Sequence, residues 1–457
     1  MKRWRVILLA CWLMTLLGPS VAVAQTAVCP TPTSNPSPIN IWYGPQQQFG
    51  QVGNPQPWIN ILGNVDVDQV QTLSFTLNGG EAAELVLGPD ERRLIAPGDF
   101  VVELHREWLS AEENCVELTA VSRAGETTTT SVIVEDQTKS WPLPYEIKWD
   151  EVDDLLEVVQ PIDGWWVLEE GGVRTHPTQV GYDRVLAVGD ESWTDYEVTV
   201  SITPHSLDES AFGSPISITP AIGIINRWHG HTNEPVACPH IHCGWEPHGA
   251  LNWYSFDVNH LQVFTKPPDG VDAVPFPIEF GQTYWFKARV ETTAVGHLYR
   301  YKAWPDGEAE PADWMLYRMT NKLNLAHGSF LLVAHHVDAT FGDLLVEEVA
   351  TMPRTFILGT VLAWLPILLV GMVGLVLAWR ARREKGTAVR LAVAGFVLLL
   401  FYAALNIFVD LQLPSLLQSL RWETQRIELV HLTNQFVQAV VLGISLFLLM
   451  LAAYRWS

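Results

Sequence analysis

Three long apolar runs near the C-terminus constrain this chain more than any other feature. Phe356–Trp379, Leu391–Val409 and Phe436–Tyr454 span 24, 19 and 19 residues. A helix needs about 20 apolar residues to cross ~30 Å of hydrocarbon, so all three read as transmembrane helices. The loop 380–390 carries Arg380, Arg382, Arg383, Lys385 and Arg390 against a single acid, Glu384. Positive charge stays cytoplasmic. The first helix therefore runs outside to inside, the C-terminus is cytoplasmic, and the part before the helices is extracellular or periplasmic. The start of the chain agrees. Lys2, Arg3 and Arg5 precede the apolar stretch Val6–Leu17, and Ala22-Val23-Ala24 is a small-residue cleavage site. Residues 1–24 read as a signal peptide.

Asn406 and Gln438 are the notable polar residues inside the spans, and no charge falls within the three runs. Conduction paths usually carry intramembrane ionisable groups, so the helices read as an anchor or as a docking bundle in a membrane complex. In the loop 410–435, Leu413, Leu416, Leu417, Leu420, Ile427 and Val430 fall near helical spacing around Arg421, Glu423 and Arg426. That pattern predicts an amphipathic helix in the outer interface. The plain alternative is an extension of the third span. Membrane lipid is the partner this region implies.

Residues 25–352 hold 16 Lys+Arg and 46 Asp+Glu, a balance of −30 against −22 for the whole chain. So acidic a surface excludes nucleic acid as a partner. Cys29, Cys115, Cys238 and Cys243 remain after removal of the signal. An even number in an oxidising compartment predicts two disulfides, with Cys29–Cys115 and Cys238–Cys243 the simplest pairing.

Residues 25–38 form a Pro/Ser-rich linker, and 39–136 read as short strands separated by turns. Leu73, Phe75 and Leu77 alternate before the turn signal Asn78-Gly79-Gly80. Val116, Leu118 and Ala120 alternate before Arg123-Ala124-Gly125-Glu126, which returns the chain into Thr127–Val134. The closing hairpin Val116–Gly125 resembles the end of bacterial immunoglobulin-like domains, which implies a spacer or adhesive module. Residues 137–145 form a second linker. Residues 146–350 are again strand-rich and read as one larger all-β unit, with strands at Asp195–Ile202, Thr283–Glu291, His297–Trp304 and Ser329–Val346. Arg184–Val198 and the pair Gly328–Ala334 and Ala339–Val346 resemble the concanavalin A-like (laminin-G-like) jelly-roll superfamily. That superfamily holds lectins, glycan hydrolases, glycan lyases and adhesion modules. The expected fold is an all-β ectodomain, an immunoglobulin-like sandwich plus a concanavalin A-like jelly roll, followed by an α-helical anchor of three transmembrane helices.

Three groups of residues can carry chemistry. Five of the fourteen histidines lie within 229–248, a stretch that also holds Cys238, Cys243 and Trp245 and follows Arg227 and Trp228. Alternate residues of a strand share a face, so Arg227, His229 and His231 point one way together and His240 and His242 do likewise, giving two His-x-His pairs able to bind zinc or copper. The bland reading of the same stretch is a disulfide-pinned surface loop. Trp228, Trp245 and Trp253 flank the histidines beside Arg227, and flat aromatic faces with such a polar neighbour also suit a sugar ligand. The second group lies on two neighbouring strands. Trp285, Lys287 and Arg289 share one face of the first, and Arg300, Lys302 and Trp304 share one face of the next. If the faces align, the result is a cation ladder bracketed by tryptophans, suited to an acidic saccharide. Its plain alternative is an ordinary solvated sheet face with cation–π pairs. The third group is carboxylate. Glu151, Asp153, Asp154 and Glu157 come near the Glu-x-Asp-x-Glu strand of laminarinase-like members of the superfamily, but the spacing is too long.

The sequence thus implies a membrane-anchored protein that recognises a glycan or surface ligand, with a carbohydrate partner. A polysaccharide-active hydrolase or lyase centred on residues 227–248 is one alternative. An accessory subunit docked by its helices onto a membrane-complex partner is another.

Overall fold

A computed structural model describes residues 29, 38–50, 57–90, 92–110, 113–137, 141–208, 219–230, 232, 241–243, 246–266, 270–293, 296–349, 353–381, 386–419 and 424–456. The signal-peptide expectation lies outside the described residues.

The first unit is a β-sandwich of β1 (Ile39–Ile41), β2 (Gln46–Phe49), β3 (Trp58–Val65), β4 (Thr72–Leu77), β5 (Ala83–Leu85), β6 (Asp99–His105), β7 (Asn114–Val121) and β8 (Thr127–Asp136). One sheet runs β1-β3-β6 and the other β2-β8-β7-β4-β5, with β2 parallel to β8. The turn signals sit where strands reverse. Asn78 and Gly79 take φ of 52° and 70° between β4 and β5, a conformation that asparagine and glycine tolerate best. Alternation places Ile59, Ile61, Leu73, Phe100, Val102, Val116, Leu118 and Val132 in the core between the sheets. A disulfide ties Cys29 to Cys115 across 86 residues of sequence.

The second unit comprises β9 (Tyr145–Ile147), β10 (Gln160–Asp163), β11 (Trp166–Glu169), β12 (Gly172–Thr175), β13 (Arg184–Val188), β14 (Tyr196–Leu207), β15 (Ala221–Trp228), β16 (Ala250–Ser255), β17 (His260–Thr265), β18 (Gly270–Pro275), β19 (Tyr284–Thr292), β20 (His297–Pro305), β21 (Leu316–Met319), β22 (Ser329–His335) and β23 (Val337–Glu348). A back sheet runs β10-β13-β22-β15-β16-β17-β18. A front sheet runs β11-β12-β23-β14-β19-β20-β21, with β9 added on β23. Both are antiparallel, and the pair stacks as a jelly-roll type of sandwich. Val198, Val200 and Ile202 of β14, with Phe286, Ala288 and Val290 of β19, face Leu186, Ile222 and Leu332 of the back sheet. The predicted strand Ser329–Val346 is two strands. His336, at φ 55°, turns the chain from the back sheet into the front sheet.

The two sandwiches share a polar joint. Arg93, 2% exposed, reaches from the loop before β6 to the Ile162 carbonyl (2.9 Å), the His242 carbonyl (2.7 Å) and the Glu103 carboxylate (2.6 Å). Asp163 lies between Arg93 and Arg184 at 3.3 and 3.4 Å. Burial pushes Asp163 up to about 7, against the pull of Arg184 and Arg93. Trp165 stacks between Trp42 and His176, while Trp166 is buried on the other side of its strand.

Among the described residues, three long helices follow: α1 (Pro353–Arg380), α2 (Gly386–Ser419) and α3 (Thr424–Trp456). Each contains a segment long and apolar enough to cross a membrane. At 1.5 Å per residue α2 and α3 are each about 50 Å long, so their polar ends extend past ~30 Å of hydrocarbon. Leu413–Ser419 continues α2 and Thr424 onward opens α3, while Leu420, Arg421 and Glu423 of the expected amphipathic helix lie outside the described residues. Small residues let the helices approach: Gly374 faces the ring of Phe396, and Ser445 donates to the Gly395 carbonyl at 2.9 Å.

Candidate functional site

The front-sheet ladder forms. β19 and β20 pair with Trp285 opposite Trp304, Lys287 opposite Lys302 and Arg289 opposite Arg300. The cause is strict alternation. Phe286, Ala288 and Val290 with Tyr299, Tyr301 and Ala303 are driven into the core, so the six polar and tryptophan positions share the outer face. The two indoles stack with centroids 6.5 Å apart.

Like charges directly opposite each other destabilise a sheet, and three acids compensate them. Glu197, opposite Arg289 on β14, binds Arg289 and lies 3.2 Å from Lys287. Glu291 lies 2.8 Å from Arg300. Glu310, from the segment joining β20 to β21, bridges Lys287 at 2.9 Å and Lys302 at 2.8 Å. Burial pulls Lys287 down, but Glu310 and Glu197 outweigh it and leave the ammonium above its ordinary value. Glu310 experiences the reverse, its burial outweighed by the two lysines, and sits below the usual carboxylate range. Among the described residues the buried Nε of Arg300 has no acceptor.

Two aromatics that the sequence reading left out complete the face. The Trp314 ring lies 5.2 Å from the Arg289 guanidinium and 4.8 Å from the Lys302 ammonium. Tyr317, opposite Arg300 on β21, is 53% exposed. Their signal was faint, since one lies in a loop and the other on a four-residue edge strand.

The structure places the histidine group differently. Arg227 and Trp228, expected at a ligand surface, are both fully buried. A bulge in β15 at Arg227, where φ is 52°, turns the guanidinium inward. There it donates to the carbonyls of Thr194 and Leu325 (2.7 Å each), to Thr292 Oγ1 (2.8 Å) and to Asp195 Oδ1 (3.0 Å). It also meets His297 Nδ1 at 2.7 Å, and burial together with this cation pushes His297 down to about 2. A Cβ on Gly328 would fall 2.6 Å from the Arg227 backbone, which explains the glycine opposite the bulge.

His229 packs on His327 and meets its carbonyl at 2.8 Å. Burial, then His327, pushes His229 down to about 3. His242 turns to the first sandwich, where its Nδ1 lies 3.1 Å from Glu103 and its ring sits 4.6 Å from Trp58. His231, His240, Trp245 and Cys238 lie outside the described residues. Cys243 is disulfide-bonded. Among the described residues no group of three or more His, Cys, Asp or Glu is placed to hold a metal ion, and the zinc or copper expectation finds His229 and His242 committed to other partners. Trp253 is half-buried on the outer face of the back sheet, with its indole N–H donated to Gln262 at 2.9 Å. Glu151 and Glu157 lie on short 3-10 turns with Asp153 and Asp154 exposed beside them, so the near-laminarinase carboxylates do not line one strand.

No protein-family model matches the chain, and no curated protein matches it. Among solved structures the chain is similar to the Crh5 transglycosylase in complex with NAG, at 7% identity and TM-score 0.31 over 46% of this chain and 85% of that one. It is similar to peanut lectin at 10% identity and TM-score 0.28, over 46% of this chain and all of the other. An endo-beta-1,4-mannanase from Thermotoga petrophila matches at 12% identity and TM-score 0.16 over 21% of this chain and 18% of that one. At such scores none of these says what this chain binds, and the sandwich stands on its own strand pairing.

Proposed function

We propose that this chain is a membrane-anchored extracytoplasmic protein that recognises an acidic saccharide on the front sheet of its larger sandwich. The observation that carries the reading is the register that sets Lys287 against Lys302 and Arg289 against Arg300, bracketed by Trp285, Trp304, Trp314 and Tyr317. Guanidinium and ammonium groups bind carboxylate or sulfate, and indole and phenol faces pack against the C–H face of a sugar ring. The remaining surface is strongly acidic, but exposed charges beyond about 8–10 Å are screened at physiological salt, so the local cations decide. The first sandwich serves as an immunoglobulin-like spacer, a reading supported by a first strand pair, β1 and β2, divided between its two sheets. The basic loop 380–390 favours a cytoplasmic position for that end of α1 and α2, which supports an outside position for both sandwiches.

The test is binding of full-length protein in detergent to an oligouronate and to its neutral methyl ester. The charged oligosaccharide binds, and its affinity falls as salt rises. Equal binding of the neutral ester would refute the assignment.

A further inference from the structure

We propose that the acidic segment Asp306–Asp313 is a built-in occupant of the cation ladder, which an acidic saccharide displaces. The inference rests on the reading of the front sheet as a saccharide site. The segment reads Asp306-Gly307-Glu308-Ala309-Glu310-Pro311-Ala312-Asp313, four carboxylates in eight residues. It folds back over the ladder and takes the positions that a charged ligand would use. Asp306 Oδ1 accepts the Trp285 indole N–H at 2.8 Å. Glu310 spans Lys287 and Lys302. The Pro311 carbonyl accepts a second bond from Lys302 at 2.6 Å, and Trp314 then lies over Lys302 and Arg289. The consequence is visible in burial: Lys302 and Trp304 are 4% and 7% exposed although both sit on the outer face of the sheet.

A permanent structural acid would be expected on a strand, as Glu197 and Glu291 are. Glu310 instead belongs to a segment with no regular structure, and residues 306–310 are all exposed. Its backbone is tied at the two ends, by Asp306 N–H to the Thr283 carbonyl at 2.9 Å and by Met315 N–H to the Tyr301 carbonyl at 3.2 Å. Segments with few buried apolar contacts and exposed backbone open at low free-energy cost. Opening bares two lysines about one carboxylate apart, beside Trp304. The class of ligand follows: a saccharide bearing carboxylate or sulfate, whose anionic group replaces Glu310 and whose ring replaces the Trp314 cover.

The experiment measures affinity of full-length protein for an oligouronate and a sulfated oligosaccharide, in wild type and in Glu310→Gln. Removing an exposed competing ion pair raises affinity by about two- to fivefold. In wild type, hydrogen exchange of 306–315 speeds up when the saccharide binds, a readout that needs no variant. If wild type binds but Glu310→Gln binds no tighter, or if 306–315 becomes protected on binding, the segment is a structural brace or a closing cover and the inference fails alone. If neither protein binds either charged probe, the reading of the front sheet fails with it. Preference for uronate over sulfate, or the reverse, identifies the anion.

Discussion

Arg227 holds one end of the larger sandwich, and its removal should be severe. Substitution by methionine keeps the length and apolar stem but deletes every donor. Two carbonyls, Thr194 and Leu325, lose their partner from a fully buried guanidinium. Stranding a buried acceptor costs ~1–3 kcal/mol. Among the described residues the Asp195 carboxylate keeps only the Thr292 N–H, and breaking a buried ion pair by removing one partner costs ~3–5 kcal/mol. Allowing for water entering the gap, the sum is about 5 kcal/mol. For a unit of ~200 residues each kcal/mol moves Tm by ~2–4 °C, so the expected fall is about 10–20 °C. The assay is thermal unfolding of full-length protein in detergent, followed by tryptophan emission. Arg300→Met, on the outer face, is the comparison and should shift Tm by no more than about 2 °C. A shift of under about 3 °C in Arg227→Met would refute the keystone role.

Acid should destabilise the larger sandwich. His229 and His248 are pushed down to about 3 and His297 to about 2, each chiefly by burial. In the unfolded chain they bind protons below about pH 6.5, so stability is full above that value and is lost as pH falls toward 3. At pH 5 the loss is about 2 kcal/mol per histidine. Asp163, raised to about 7, works in the opposite sense and returns about 2–3 kcal/mol over the same range, so Tm between pH 7 and 5 should fall but not collapse; a rise would contradict the assignment. Cys115→Ser frees an 86-residue separation and should cost the first sandwich about 2–5 kcal/mol, read as a lower denaturant midpoint. Cysteines introduced at Thr387 and at Asp306 should label from opposite sides of the membrane in intact cells; labelling from one side would overturn the assigned orientation.

Much of the front sheet was legible in the sequence, because two-residue alternation assigns faces without knowledge of partners. Phe286 and Tyr301 had to point in, so Lys287 and Lys302 had to point out. The pairing of those outward rows was conditional on register, which a local pattern does not give. The acids that neutralise the rows were less legible. Glu197 comes from a strand far away in sequence, and Glu310 from a loop whose path follows no periodicity. Alternation also misassigned Arg227. It grouped Arg227 with His229 and His231 on one face, and a single bulged residue turned the guanidinium inward. Gly328 was the available clue, since a Cβ there would strike the Arg227 backbone and its φ of 143° also favours glycine. The path of His242 to Glu103 of the other sandwich is a contact between units, and nothing near either residue in sequence announces it.

The most direct test of the account is a titration of an acidic oligosaccharide into full-length wild type, Arg300→Ala and Trp253→Ala. The first variant alters the front sheet and the second the back sheet. A lost charge-assisted hydrogen bond is worth ~1.5–3 kcal/mol, so Arg300→Ala should weaken binding by about 10- to 100-fold, while Trp253→Ala should bind as wild type does. Binding that survives Arg300→Ala and disappears in Trp253→Ala would contradict the account and move the site to the opposite face of the sandwich.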